Sequence, residues 1–285
     1  MRHYRSVFLI LVLLFSCRAF AQQRPLRTDD AELLPTGKVR IEFGVEFLQG
    51  QKYPLSGLEG NLTRLGVASI QVGVGEYAEF QISGVVQDVL SITDRSEPVV
   101  SPTFTGNTTN DFGNLALATK LKLLGEKGNR PALSFKFAVE LPSENQENGL
   151  GTDQTQFYSS LLFKKHFGRV QVLGNLGLAV LGSPVVAGKQ TDPGIYGVGT
   201  VISLHPSVNL VAEVQGRYRI SDRIGNENLS QLRAGFQFRT GRVRWDIAGI
   251  RGLTDIDPDS GVAVGVTYEF QAFNKEKEPV KIMNQ

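Results

Sequence analysis

The sequence predicts an all-β fold: an antiparallel up-and-down transmembrane β-barrel of about 12 strands. Three observations predict it. Apolar and polar residues alternate with period two over most of the chain from residue 38 onward, which is the strand period. The alternating segments are each near the ~9–11 residues that a tilted strand needs to cross a bilayer. The connections between them run long, short, long, short, as the extracellular loops and periplasmic turns of an outer-membrane barrel do.

The first element is an address. Residues 1–21 read MRHYRSVFLILVLLFSCRAFA. Arg2 and Arg5 make a positive start, and Val7 to Phe15 is an apolar run too short to span a bilayer. Ala19-Phe20-Ala21 supplies the small residues of a signal-peptidase site, so cleavage is expected after Ala21. The alternatives are an uncleaved anchor helix and a lipoprotein signal ending at Cys17, which a bulky Phe15 before Ser16 fits badly. Cleavage removes Arg2, Arg5, Arg18 and the only Cys. That leaves 27 of the 30 Lys and Arg against 28 Asp and Glu, so the net charge of +2 becomes −1. Residues 22–37 follow as a periplasmic extension or a plug, with a small apolar patch at Leu33-Leu34-Pro35.

The barrel is expected over residues 38–273. Its strands are predicted at 38–49, 62–73, 77–88, 112–124, 131–141, 155–166, 169–181, 195–204, 207–220, 229–240, 242–252 and 261–273. In the first, Val39, Ile41, Phe43, Val45 and Phe47 oppose Arg40, Glu42, Gly44 and Glu46. In the second, Leu65 and Val67 suggest one parity while Ile70, Val72 and Val74 suggest the other, so a bulge is expected near Ala68. Later strands repeat the first pattern: Leu133, Phe135 and Phe137 oppose Ser134 and Lys136, and Leu232, Ala234 and Phe236 oppose Arg233 and Gly235. The last sets Val262, Val264, Val266, Tyr268 and Phe270 against Ala263, Gly265, Thr267 and Glu269. Short connections fall at Val74–Glu76, Gly125–Arg130, Phe167–Gly168, His205–Pro206 and Gly241. Long ones fall at Gly50–Asn61, Val89–Asp111, Pro142–Gln154, Gly182–Gly194, Ser221–Asn228 and Leu253–Ser260, rich in Gly, Pro, Asn and Asp. Residues 274–285 are expected to be a polar periplasmic tail.

Composition excludes other classes. The 285 residues are 41% apolar and 20% charged, with 31 Gly. The charge balance is too even for nucleic-acid binding through a basic patch, and the apolar content too high for a disordered chain. One Cys makes neither a disulfide framework nor a zinc site of several Cys. A mean hydropathy of −0.10 is too low for a bundle of membrane helices. The rival fold is a soluble sandwich or lipocalin-like barrel. Against it, full charges stand on the polar face of nearly every strand, beside Gly and Ala that suit a crowded or watery lumen. A closed barrel also satisfies every backbone donor in lipid without a disulfide.

Several stretches carry a family resemblance. These are Pro25-Leu26-Arg27-Thr28-Asp29-Asp30-Ala31, then Gly37 to Glu42, then Phe112-Gly113-Asn114-Leu115 through Lys120 to Arg130-Pro131-Ala132-Leu133. Leu141-Pro142-Ser143, Gly149-Leu150-Gly151-Thr152, Phe157 and Lys165-His166-Phe167-Gly168 continue it. The chain thereby resembles the outer-membrane family named for the meta-pathway of phenol degradation, over nearly all of its mature length. The resemblance implies an outer-membrane barrel acting as a channel or transporter, in some members linked to uptake of aromatic compounds. Asn114 stands where an acid is common. Gly265, Tyr268 and Phe270 also look like the signal read by the outer-membrane assembly machinery, with Ala263 where a polar residue is usual.

No catalytic constellation is evident, and no cofactor or metal is expected. His166 and His205 stand at predicted periplasmic strand ends with no Ser partner to name, although barrel-embedded lipases and acyltransferases pair Ser with His. Asp255, Asp257 and Asp259 resemble the start of a calcium loop, but Ser260 stands where such a turn needs Gly and Val266 where it needs Glu. The sequons at Asn61, Asn107 and Asn228 carry no weight in a bacterial barrel. The candidate pore-lining residues are Arg40, Glu42, Glu46, Glu79, Lys120, Lys136, Glu140, Glu213, Arg217, Arg219, Arg233, Arg239, Arg244, Asp246 and Glu269. With Arg242, the arginines of three neighbouring strands suggest an anion-attracting wall; the alternative is an interior salt-bridge network that fills the barrel. The expected role is passive passage of small solutes, aromatic or organic-acid compounds among them, across the outer membrane. Lipid, lipopolysaccharide and the assembly machinery are the expected partners. A filled structural or adhesive barrel and a lipid-modifying enzyme are the rivals.

Overall fold

In the computed structural model, residues 24–219 and 224–273 are described. The expected signal peptide, the tail and the start of the fifth long loop therefore lie outside the described residues. The strands are β1 (Lys38–Tyr53), β2 (Leu58–Val74), β3 (Ala78–Arg95), β4 (Thr108–Asp111), β5 (Leu115–Leu124), β6 (Ala132–Leu141) and β7 (Gln156–Phe167). They continue as β8 (Val170–Gly182), β9 (Gln190–Thr191), β10 (Gly194–His205), β11 (Val208–Tyr218), β12 (Leu229–Thr240), β13 (Val243–Gly252) and β14 (Ser260–Gln271). Every pairing is antiparallel, and β1 pairs with both β2 and β14, which closes the ring. Twelve strands make the wall; the short β4 pairs with β3 ahead of β5, and the short β9 pairs with β8 ahead of β10.

Burial decides which face points where. Phe43 is 49% exposed while Glu42 beside it is 2% exposed. Ile41, Phe47, Ile82, Leu117, Phe236 and Trp245 are likewise exposed, and Arg40, Glu46, Arg233 and Arg244 are buried. A soluble sandwich shows the reverse, with charges outside. An apolar exterior around a charged interior is the pattern of a barrel in lipid. The protein is a closed outer-membrane β-barrel, and its short turns mark the periplasmic end.

Three details differ from the sequence expectation. The first three strands run 16, 17 and 18 residues. Most of the expected loop Gly50–Asn61 is ladder instead, with Gln51 opposite Gly60 and Tyr53 opposite Leu58. Alternation fades there because the hairpin has risen past the apolar band, while its backbone goes on pairing. The bulge lies at Gly66, with φ +66°, rather than near Ala68. It turns Leu65 outward opposite Val45 and brings Val67 inward opposite Gly44. A left-handed φ suits Gly and makes the extra residue cheap. Finally, the fourth wall strand, β5, starts at Leu115 rather than 112, because Phe112 to Asn114 leave the ladder.

Candidate functional site

Residues 24–37, the described stretch ahead of β1, lie inside the barrel. Residues 24–37 touch side chains or backbone of almost every wall strand, through two charged stretches. The basic stretch comes first. Arg24 lies 3.6 Å from Asp246 and donates to the Val264 carbonyl at 3.1 Å. It sits over the facing pair Gly44 and Gly265, where any Cβ would collide with its guanidinium. Its carbonyl accepts from Gln237 at 2.6 Å and Arg244 at 3.3 Å. The backbone N–H groups of Arg27 and Thr28 donate to Glu213 at 2.8 and 2.7 Å. The Arg27 side chain reaches Glu46 at 3.0 Å.

The acidic stretch follows. Asp29 pairs with Lys136 at 2.9 Å. Asp30 and Glu32 both pair with Lys164 at 2.8 Å. Lys120 donates to the carbonyls of Asp30 and Glu32 at 3.1 and 2.9 Å and pairs with Glu79 at 3.1 Å. Glu79 also accepts from the Leu34 N–H at 2.6 Å. Between these polar ties, Leu26 packs with Leu173, Val201 and Val211, and Ala31 with Ala132 and Leu162. Buried charges are retained where each is paired and hydrogen-bonded.

The predicted lumen residues are all on or beside this interior. Arg40, Glu42, Glu46, Glu79, Lys120, Glu213, Arg233, Arg244 and Asp246 are buried. Lys136, Glu140, Arg217, Arg219, Arg239 and Glu269 are half-buried. The arginines spread over the height of the lumen rather than forming one patch. Arg233 bonds Glu46 at 2.7 Å, Arg244 reaches Glu42 at 3.3 Å and Arg40 bonds Glu269 at 2.7 Å. Arg217 donates to the Glu227 carbonyl at the long-loop rim, and Arg219 stands just past the end of β11. Lys164, Arg64 and Asp88 belong to the same network and were not singled out from sequence; Arg64 bonds Asp88 at 3.1 Å. Lys164 alternates with Phe163, so its parity was readable. Its acidic partners, more than a hundred residues away, were not.

Two cavities flank the internal segment. Toward the long loops, one of about 320 Å³ has Arg27, Thr28 and Asp29 as its floor and Lys136, Tyr158, Tyr196 and Arg217 on its sides. Toward the periplasm, one of about 430 Å³ is lined by Lys38, Arg239, Arg242, Arg244 and Glu269 among others. Beside the upper cavity, the loop after β6 turns inward. Leu150 joins Leu48, Leu58, Leu62 and Leu90 in a buried cluster, and Ser56 donates to the Gly149 carbonyl at 2.7 Å. Burial pushes the Glu144 carboxyl of this loop up to about 8, with Arg64 pulling against it and Asp88 and Glu140 adding to it.

The remaining candidates have local partners. Asp257 is buried and accepts from the Ser230 N–H at 2.7 Å, from Gln231 at 3.1 Å and from Thr254 at 2.7 Å. Among the described residues no three His, Cys, Asp or Glu are grouped to hold a metal. His166 Nδ1 lies 2.6 Å from Glu126, and His205 Nδ1 accepts from the Ser207 N–H at 3.3 Å. Tyr268 and Phe270 of the assembly-signal pattern stack at 5.7 Å on β14.

No family model matches the chain, and no curated protein matches it. Among solved structures, it is similar to the COG4313 outer membrane channel from Pseudomonas putida F1, with a TM-score of 0.58 and 14% identity over 85% of this chain and 98% of the other. The NanC porin covers 81% of this chain and 98% of its own, at 7% identity and a TM-score of 0.49. The Pseudomonas putida toluene transporter TodX covers 84% and 90%, at 11% identity and a TM-score of 0.41. At these identities the first likeness is one of fold: this chain shares its barrel with an outer-membrane channel.

Proposed function

We propose that this barrel is a channel for small solutes, with small organic acids favoured, and that residues 24–34 act as its internal plug. The upper cavity carries the reading. It opens toward the long loops and sets the rings of Tyr158 and Tyr196 beside the cations Lys136, Arg217 and Arg27. Apolar walls with a few placed charges are what a small-molecule site needs, and an aromatic or aliphatic carboxylate matches both features. The resemblance to the phenol meta-pathway family agrees with that choice. Gly265, Tyr268 and Phe270 serve as the recognition signal for barrel assembly in this reading.

One observation favours a second reading, a filled structural barrel that works through its loops: ion pairs from residues 24–32 cross the lumen. Planar-bilayer recording separates the two. The channel reading expects a small conductance from the intact barrel and a several-fold larger one after deletion of residues 24–34. A silent barrel in both forms would leave only the structural role.

A further inference from the structure

The periplasmic cavity has a charge problem that the channel reading alone does not solve. Its lining carries three arginines, Arg239, Arg242 and Arg244, beside Lys38, which has a partner of its own, and one carboxylate, Glu269. That carboxylate is already engaged by Arg40 at 2.7 Å. Arg244 is 5% exposed, and its Nη2 is used on Glu42 and on Thr267 at 2.9 Å. Its Nε is buried with no hydrogen-bond partner. Arg239 and Arg242 make no side-chain ion pair among the described residues. Elsewhere in the lumen the arginines meet acids, as Arg233 does with Glu46 and Arg64 with Asp88.

Register explains the concentration of charge. Arg239 and Arg244 face one another across the β12–β13 pair, one residue either side of the tight turn at Gly241. Like charges directly opposite destabilise a strand pair. Lys38 and Gln271 pair at the foot of the β1–β14 seam. The cations share a rim in a confined cleft, where low-dielectric walls focus their field. A bound anion would relieve this repulsion and reach several donors at once.

We propose that the periplasmic mouth is an oxyanion site, held by Arg239, Arg242 and Arg244, which takes the phosphate or carboxylate group of a small free solute. Its existence does not depend on conductance. Its position beyond residues 24–34 puts it at the periplasmic mouth of the lumen.

Binding of inorganic phosphate to the full barrel in phosphate-free detergent, measured by titration calorimetry, is the test. Saturable binding is expected, weakened roughly tenfold by the double variant Arg239→Gln/Arg242→Gln, which removes two cations near a partly exposed surface. Heat-modifiable migration checks that the variants are folded, and the single variants stand in where the double one is not. Arg217→Gln, at the opposite end, should leave phosphate affinity unchanged. No saturable binding, equal affinity in the folded rim variants, or loss on Arg217→Gln would overturn the site. A lipid head offers the same phosphate chemistry, so affinity is compared in nanodiscs with and without phosphatidylglycerol. Equal affinity supports a free solute; competition by the lipid refutes it. Phosphate bound by a non-conducting barrel would remove the channel reading and keep this site, and a conducting barrel without binding would do the reverse.

Discussion

Two arcs of the lumen wall hold the internal segment in opposite ways. On β5, β6 and β7 the wall is basic, and one ammonium, Lys164, serves two carboxylates, Asp30 and Glu32. On β1 and β11–β13 acids and arginines are mixed, and one carboxylate, Glu46, meets three guanidiniums, Arg27, Arg64 and Arg233. In the first arc two carboxylates share one ammonium, with Lys120 and Lys136 holding neighbouring groups of the segment; in the second, one carboxylate has redundant cations. The near-equal totals of acid and base in the sequence thus conceal a division. The segment is acidic where the wall is basic, and its arginines meet acids, Asp246 and Glu46, in the mixed arc, so much of the wall charge is matched to the segment rather than left to the solute.

The largest expected effect comes from the basic arc. Lys164→Met removes the ammonium that Glu32 shares with Asp30, itself 3% exposed, where Gln171 still donates at 3.3 Å. Stranding a buried charge costs about 3–5 kcal/mol, enough to undock the acidic stretch. Trypsin cleavage after Arg27, which Thr28 follows, together with a rise in conductance, would report it. Arg233→Gln on the other arc should cost less, about 1.5–3 kcal/mol for one charged hydrogen bond, because Arg27 and Arg64 remain on Glu46. If the two variants expose the segment equally, the distinction between a shared ammonium and redundant cations fails.

How much of this was legible follows from how local each signal is. The alternation of Ile41 and Phe43 with Glu42 and Glu46 depends only on neighbours, so the wall and its two faces could be read strand by strand. The bulge was legible as a break in parity, but its place was not. Two residues of drift separate Ala68 from Gly66, and only the positive φ picks the glycine. The internal segment has no period, so extension and plug read alike. Its order, Arg24 and Arg27 before Asp29, Asp30 and Glu32, mirrors the wall, but the mirror appears only once Lys164 and Asp246 are brought together by closure. Gly265 shows the same limit. Its place in the assembly-signal pattern was readable; the need to admit Arg24 was not.

A smaller effect tests the inward loop between β6 and β7, at the long-loop end of the basic arc. Glu144 lies in the inward loop near Arg64 and Asp88, and its carboxyl is raised to about 8. A raised acid favours the docked loop fully below its free value, near 4.3. That preference declines as pH rises toward about 8 and is flat beyond it. Hydrogen exchange over residues 142–155 should therefore quicken between pH 5 and 8 by roughly tenfold or more. In Glu144→Gln the same window should be level once intrinsic exchange is corrected. A pH slope that survives the substitution would assign the effect to other groups.

The smallest effect tests the basic side at its periplasmic end. Lys165 follows Lys164 on β7 but points the other way, donating to Glu126 in the β5–β6 turn at 2.9 Å. Burial pushes the Glu126 carboxyl up, and bonds from the His166 ring and N–H and from Lys165 outweigh it, holding it down at about 2. A depressed acid contributes stability that is complete above its free value and is lost as pH falls through the lowered one. Protection of the His166 amide, which donates to Glu126 at 3.0 Å, should thus persist at pH 4 and fade only toward pH 2. Glu126→Ala should speed its exchange roughly tenfold at every pH above that range, the worth of one charged hydrogen bond. The docking of Asp30 on Lys164 should not change, because the two lysines face opposite sides of one strand. Loosening of the internal segment in Glu126→Ala would show that the basic arc is braced from outside the lumen as well as from within.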